Sequence, residues 1–245
     1  MDTPTQTVQP TTPKTALSPA DYVHLHNHTH HSLLDGLTKV EALVDRVKEL
    51  GMSAVAMTDH GTLSGAIEFY KACKAQDIKP IIGIETYVAA RTIHDRDPAK
   101  DRARYHLILL AMNNVGYQNL MYLSTTANLE GVYYKPRVDH DLLEKHSEGL
   151  IALSACAGGE LGENLRAGNY DEAKRLAQWY KGVFGDRYYF EIQDHDSWDV
   201  QKKINEGLFQ LSDELGIGCV ISSDAHYLSD ADQQAHEILL CVGTG

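Results

Sequence analysis

With 245 residues, 43% of them hydrophobic and 23% charged, the chain is long enough for one large α/β domain with its own core. A formal net charge of −12 excludes a protein that coats nucleic acid by bulk charge, so contact with a phosphate backbone would need local cations such as bound divalent metal. Four cysteines, far apart and with no Cys-x-x-Cys pair, exclude a disulfide framework and suit a reducing cytoplasm; no apolar run reaches membrane-spanning length, and the N-terminus lacks the apolar stretch of a secretory signal.

Residues 1–20, rich in Thr and Pro, read as a disordered leader. A first strand is predicted at 22–26, and it runs into five histidines within 24–31, followed by Asp35. Strand side chains alternate faces, so His24, His26 and His28 would share one while the strand lasts. The capping-box spacing of Thr38 and Glu41 predicts a helix from Thr38 to Gly51, with Val40, Leu43, Val44 and Val47 inward. A short buried strand follows at 54–57 and ends in Thr-Asp-His-Gly. A helix at 62–75 would turn Leu63, Ala66, Ile67, Tyr70 and Cys73 inward. The third strand, 80–84, ends at Glu85. Residues 91–104 mix both charge signs and read as an exposed excursion. Strands at 105–111, 150–154, 188–192 and 218–222 alternate with helices near 117–126, 139–146, 158–166, 170–183, 198–215 and from Ser229 to about Cys241.

Seven β-then-α units imply a parallel sheet with helical crossovers, and the absence of a Gly-rich loop after the first strand favours closure into a (βα)7 barrel over an open sheet. Polar residues follow strand after strand: His26, His28 and Asp35, then Asp59 and His60, Glu85, Cys156, and Asp224 with His226. His106 lies at the start of its strand, the wrong end for a parallel barrel. Any one of these is more often a cap, a hydrogen-bonded core histidine or a small buried thiol. Their convergence on one barrel face points to metal, and a His-dominated donor set with carboxylates and one thiol suits Zn, Mn or Fe. The donors exceed what one ion needs, so two or three divalent ions sharing carboxylates are expected, with hydrolysis at phosphorus as the chemistry.

The motifs Val-His-Leu-His-Asn-His-Thr with Leu-Leu-Asp-Gly (23–36), Met-Thr-Asp-His-Gly (57–61), Lys-Pro-Ile-Ile-Gly-Ile-Glu (79–85), Tyr-Tyr-Lys-Pro-Arg (133–137), Leu-Ser-Ala-Cys (153–156) and Ser-Asp-Ala-His-Tyr (223–227) resemble the PHP (polymerase and histidinol phosphatase) domain family. The likeness is greatest to the branch found in alpha subunits of bacterial DNA polymerase III, and it spans residues 21–245. The resemblance implies a distorted seven-stranded βα barrel with its metal site at the C-terminal face of the strands. It implies His26, His28, Asp35, His60, Glu85, His106, Cys156, Asp224 and His226 as metal ligands, with Glu85 able to bridge two ions, and Asp35, Glu85, Asp224 and His226 as catalytic.

The resemblance also implies a cytoplasmic 3′–5′ exonuclease that proofreads during DNA replication, releasing a nucleoside monophosphate from a single-stranded 3′ end. Its partners would be DNA, the polymerase domains of the same longer chain, and other replisome subunits, with no membrane. Lys135, Arg137 and Tyr133 are candidates for holding DNA phosphates and stacking a base. His195 and Asp59 are the nearest candidates for a general acid. Two other readings stay open: a catalytically silent, metal-stabilised module that docks polymerase partners, and a small-molecule phosphatase of the histidinol phosphatase type. His30, His31, His94, His140, His146 and His236 read as exposed, and Cys73, Cys219 and Cys241 as interior.

Overall fold

A computed structural model describes residues 18–195 and 198–244, so most of the predicted leader lies outside the described residues; Pro19–Asp21 form a single 3-10 turn. The strands are β1 (Ala54–Met57), β2 (Lys79–Ala89), β3 (Arg104–Ala111), β4 (Arg137–Val138), β5 (Leu150–Leu153), β6 (Tyr188–Gln193) and β7 (Cys219–Ser222). The helices are α1 (Val40–Glu49), α2 (Ala66–Ala75), α3 (Asn114–Leu129), α4 (His140–Lys145), α5 (Glu160–Ala167), α6 (Tyr170–Phe184), α7 (Asp199–Leu215) and α8 (Gln233–Thr244). The sheet order is β1-β2-β3-β5-β6-β7, with β4 added to the far end of β2.

β1 pairs parallel with β2, as do β5 with β6 and β6 with β7, but β3 runs antiparallel to both its neighbours. The expectation of a wholly parallel sheet is therefore corrected. A parallel neighbour needs a crossover, usually a helix. Between β2 and β3 there is only the charged excursion, so the chain returns in the opposite sense. β2 also runs past the predicted end, which puts Glu85 within the strand.

The histidine run is extended but is not the regular strand predicted at 22–26. Its bonds alternate between the two sheet edges: the His24 carbonyl accepts from Ala56 N (2.8 Å), while His28 N donates to the Ala225 carbonyl after β7 (2.8 Å). One segment thus joins β1 to the end of β7 and completes a distorted (βα)7 barrel. Asn27 stitches it in place, its amide donating to the carbonyls of His24 (3.2 Å) and Ala56 (3.1 Å).

Side-chain alternation explains the interior. Ala56, Ile81, Ile108, Leu110, Leu153, Tyr189 and Val220 meet with Leu25 as an apolar floor inside the barrel. Continuing by twos along the same faces gives Glu85 from Ile81, His106 from Ile108, Glu191 from Tyr189, and Ser222 from Val220. A separate apolar layer joins α1 and α2 to the outside of β1, and the largest one joins α3, α5, α6 and α7 to the rest of the sheet.

Several local expectations shift. α1 begins at Val40 with Lys39 as N-cap, because the predicted cap Thr38 instead bridges to Thr29; its inward stripe is as predicted. α2 buries Ala66, Phe69 and Cys73 and leaves Ile67 and Tyr70 exposed, a stripe rotated from the expected one. Cys219 and Cys241 are exposed, since no helix among the described residues covers the outer face of β7 and α8 buries none of its side chains. The 91–104 excursion is pinned at Ile93 and Asp101, both buried, and Arg91 grips Asp101 through two nitrogens (2.8 and 2.6 Å).

Candidate metal centre

All nine implied ligands converge at the mouth of the barrel. Three overlapping groups of donor atoms lie within 4.8 Å of one another: His28, His60 and His226; His26, His28 and Glu85; and Glu85, His106 and Cys156. Asp224 joins them, its Oδ1 lying 3.1 Å from His26 Nε2 and 3.3 Å from His28 Nε2. Asp35 completes the rim, with Oδ2 2.9 Å from His60 Nε2. Glu85, fully buried, faces both halves: Oε1 lies 2.7 Å from His106 Nδ1, and Oε2 lies 2.5 Å from His60 Nδ1. The reversed β3 accounts for His106. Because that strand enters at the mouth, its start is where the parallel strands end.

Backbone strain marks the same places. Leu34 (φ 75°), Ala155 (φ 61°) and Asp224 (φ 51°) take left-handed conformations that non-glycine residues seldom adopt. They immediately precede Asp35, precede Cys156, and are a ligand, respectively. Gly36 is needed for a different reason: a Cβ there would lie 1.9 Å from the Thr29 carbonyl, inside the turn that carries Asp35.

The donors fit cations. Glu85 Oε1 and Oε2, Asp35 Oδ1, Asp224 Oδ1 and His60 Nδ1 are buried without a hydrogen-bond partner. The short His60–Glu85 approach is thus a meeting of atoms aimed at common points and not a well-angled bond. Among the described residues no lysine or arginine pairs with Asp35, Glu85 or Asp224. Three buried or half-buried carboxylates surrounded by imidazoles need positive charge, which a divalent ion or a proton can supply.

Without metal, protons take that role. Burial alone would raise the Glu85 carboxyl, but the charges of His106 and His26 outweigh it and hold it well below the usual carboxylate range. His26 is pushed well above an ordinary histidine, burial being outweighed by Asp224, Glu191 and Glu85. His60 rises to about 10 because Asp35 and Glu85 outweigh its burial. Burial lowers His28, and burial followed by Glu85 and Asp224 pushes the Cys156 thiol up.

Two buried carboxylates outside the ring orient its histidines. Glu191 accepts from His26 Nδ1 at 2.7 Å, from Gln193 Nε2 at 2.8 Å, and from Ser222 Oγ. Asp59 accepts from Thr29 N (2.6 Å) and Ser32 Oγ (2.8 Å), and Ser32 Oγ in turn accepts from His28 Nδ1 (2.8 Å) and His60 N (3.1 Å). These partners fix the proton on Nδ1 of both His26 and His28 and leave Nε2 free to ligate. The Asp224 carbonyl does the same for His226 Nδ1 (2.9 Å). His24 stays outside the ring, packed edge-on against Tyr22.

The structure separates the other candidates. Asp59 is fully buried and saturated as an acceptor, so it is an orienting group and not a general acid. His195 donates to Gln193 (3.2 Å) and reaches the ring only through Gln193 and Glu191. Arg137 is corrected outright: it is fully buried, and its guanidinium donates to the carbonyls of Gly131, Ile93, Asp95 and Asp101, leaving nothing for a phosphate. Lys135 is exposed, with Nζ 5.6 Å from the centre of Tyr87, whose ring stacks on His60. Tyr133 is half-buried against the more exposed Tyr134. Glu191 was the residue that sequence reasoning missed. Its signal was the inward parity of 189, 191 and 193 on a strand ending at the mouth.

Residues 24–195 match the family model for the PHP domain. The chain belongs to the PHP domain family. DNA polymerase III subunit alpha of Treponema pallidum is 48% identical over 225 residues, which are 91% of this chain and 19% of that one. The same subunit of Thermus aquaticus is 45% identical over 225 residues, covering 90% and 18%. This PHP chain therefore spans about a fifth of the length of the curated relatives it matches. Among solved structures, an amidohydrolase of Chromobacterium violaceum superposes with a TM-score of 0.54 at 14% identity, covering 89% of this chain and 96% of that one. A protein proposed to be a metal-dependent phosphoesterase, from Bifidobacterium adolescentis, gives 0.53 at 14%, covering 91% and 96%. At that identity the two matches establish the barrel fold alone. Among the described residues no helix is long and apolar enough to cross a membrane.

Proposed function

We propose that this PHP domain, residues 21–245, is a metal-dependent phosphoesterase that removes nucleotides from single-stranded DNA 3′ ends, as the cytoplasmic proofreading part of a replicative polymerase alpha subunit. The observation that carries the reading is the convergence of nine donors at one place, with Glu85 Oε1 and Oε2, Asp35 Oδ1, Asp224 Oδ1 and His60 Nδ1 buried among them without hydrogen-bond partners. The alpha-subunit relatives supply the DNA context.

His26, His28, Asp35, His60, Glu85, His106, Cys156, Asp224 and His226 would hold two or three divalent ions, with Zn, Mn and Fe fitting the donor set. Such ions supply activated water and neutralise charge developing at phosphorus. The chain's own residues do the rest. Glu85, with one oxygen facing His106 and the other facing His60, would serve both halves of the ring. Glu191 and the Asp59–Ser32 pair keep the two inner histidines in one tautomer. Asp35, His106, Asp224 and His226, each partly exposed, would be open to a substrate, and the exposed Lys135 would meet its phosphate. Tyr133, two residues before Lys135 and half-buried against Arg137 and Tyr134, would stack a base only at its exposed edge.

Metal analysis of the purified chain, paired with release of nucleotide from 5′-labelled oligonucleotides in Mn²⁺ and Zn²⁺, tests the reading. Mononucleotide release that disappears in Asp224→Asn is the expected result. Metal bound with no hydrolysis above that variant would instead support the silent docking module, and rapid turnover of histidinol phosphate without attack on DNA would support the small-molecule phosphatase.

A further inference from the structure

Beside the metal ring lies a cleft of about 410 Å³, within the size range of ligand-binding sites. His106, one of the ring's donors, and Gly158, which packs against its imidazole, are part of the lining, so the cleft adjoins the ring. Arg102 and Arg104 line its wall; both are exposed, and among the described residues neither has an ion-pair partner. Arg104 donates only to the Arg102 carbonyl (3.2 Å). Glu163, the acidic residue of the lining, is engaged by Arg166. The Arg102 guanidinium lies 5.9 Å from the centre of the Tyr134 ring, and Tyr134 is 65% exposed and held at φ 63°. Two unpaired arginines leading to an exposed aromatic ring run against the chain's net charge of −12.

We propose that this cleft seats the single-stranded DNA backbone next to the scissile bond, with Arg102 and Arg104 on consecutive phosphates and Tyr134 stacked on a base. Guanidinium groups suit phosphate through paired, planar donors, and an exposed aromatic ring accepts any base without sequence preference. Cations confined to one cleft also let a strongly acidic protein engage DNA where hydrolysis occurs and repel it elsewhere. The proposal rests on the phosphodiesterase reading of the adjoining ring. It extends that reading from the reacting phosphate to the polymer attached to it.

The test is the affinity of the Mn²⁺-loaded 245-residue chain for 5′-fluorescein oligothymidylates with phosphorothioate linkages, which slow turnover, read by fluorescence anisotropy across a salt series. Affinity should rise from one to three nucleotides. Arg102→Ala with Arg104→Ala should raise Kd about ten- to a hundredfold and reduce the salt slope by roughly 1.4, the share of two phosphates on a single strand. The double lysine variant should keep the slope and recover part of the affinity, Tyr134→Ala should weaken binding with the slope unchanged, and Lys100→Ala, outside the cleft, should behave as wild type. An affinity independent of length, or a double alanine variant with the wild-type slope, overturns the proposal. Arginine-dependent binding with no hydrolysis of the all-phosphate oligonucleotide leaves the cleft standing and removes the exonuclease reading.

Discussion

Replacing Glu191 with Gln isolates the orienting layer from the ligands themselves. Three donors, on His26, Gln193 and Ser222, converge on Glu191 Oε1, while Oε2 is buried without a partner. Gln keeps the volume and an acceptor oxygen for those donors. It places an amide NH₂ where Oε2 stood, with nothing to accept from it, and it removes the charge facing His26. A charge-assisted bond is worth about 1.5–3 kcal/mol and a neutral one roughly half of that, so about 0.8–1.5 kcal/mol of support for His26 is lost. Loss of an outer carboxylate behind a ligating histidine typically weakens metal about 10–100-fold, or roughly 1.4–2.8 kcal/mol, and the two ranges meet near the tenfold end. Chelator competition with Zn²⁺ or Mn²⁺ measures the affinity, and the melting temperature in excess EDTA measures the metal-free fold. The expected result is weaker metal binding in Glu191→Gln, partly restored in Glu191→Asp. Unchanged metal affinity, with only the metal-free melting temperature lowered, would show that Glu191 merely fills space.

Other perturbations separate ligand, scaffold and charge. Asp35→Asn and Asp224→Asn should retain the wild-type far-UV circular dichroism but lose metal and at least about 100-fold of phosphoesterase activity; retained activity would remove them from the site. Arg137→Ala should orphan buried carbonyls and cost on the order of 3 kcal/mol in urea denaturation, whereas a change confined to KM for DNA would restore a phosphate role. Gly36→Ala should destabilise the chain by about 1–3 kcal/mol and weaken metal binding together, because the Asp35 turn must shift; a normal melting curve would contradict the 1.9 Å approach to Thr29. In chelator, His60 is raised from 6.5 to about 10, so its stabilising contribution is complete below pH 6.5 and is lost as pH rises through about 10. The metal-free melting temperature should fall over that window, and saturating Mn²⁺ should abolish the fall; the same decline with and without metal would refute the exchange of ion for proton.

What could be read from the sequence divides along physical lines. β1 is as predicted because four consecutive apolar residues bounded by turn signals leave little choice, and the inward stripe of α1 follows from period alone. Eight of the nine candidate ligands are legible in short motifs beside predicted strands, whereas His106 belongs to none of those motifs and enters only through the family resemblance. The histidine run was read too simply: it alternates its bonds between two sheet edges, which a period-2 pattern cannot reveal. α2 was rotated because Ile67 and Tyr70 carry apolar side chains that the fold leaves exposed, and apolar character does not guarantee burial. The sequence offers Arg137 as a DNA contact because it shares a loop with Lys135 and two tyrosines. Only the structure shows the four carbonyls that turn it inward.

The reversal of β3 links these points to function. In a parallel register His106, five residues from Ala111, would lie near the barrel floor, roughly 17 Å from the mouth by strand rise. Entering at the mouth instead, it reaches Glu85 directly. The sequence did contain a sign of this, since the excursion between β2 and β3 has no helical periodicity and a parallel crossover of that length would normally have one. The same excursion ends in Arg102 and opens onto Arg104, so the turn that returns the chain into the sheet also builds the cationic wall beside the ring. A regular (βα)7 barrel would cover this edge with a crossover helix and leave no cleft at His106. One departure from barrel topology therefore brings His106 to the candidate metal ring and leaves an arginine-lined cleft beside it.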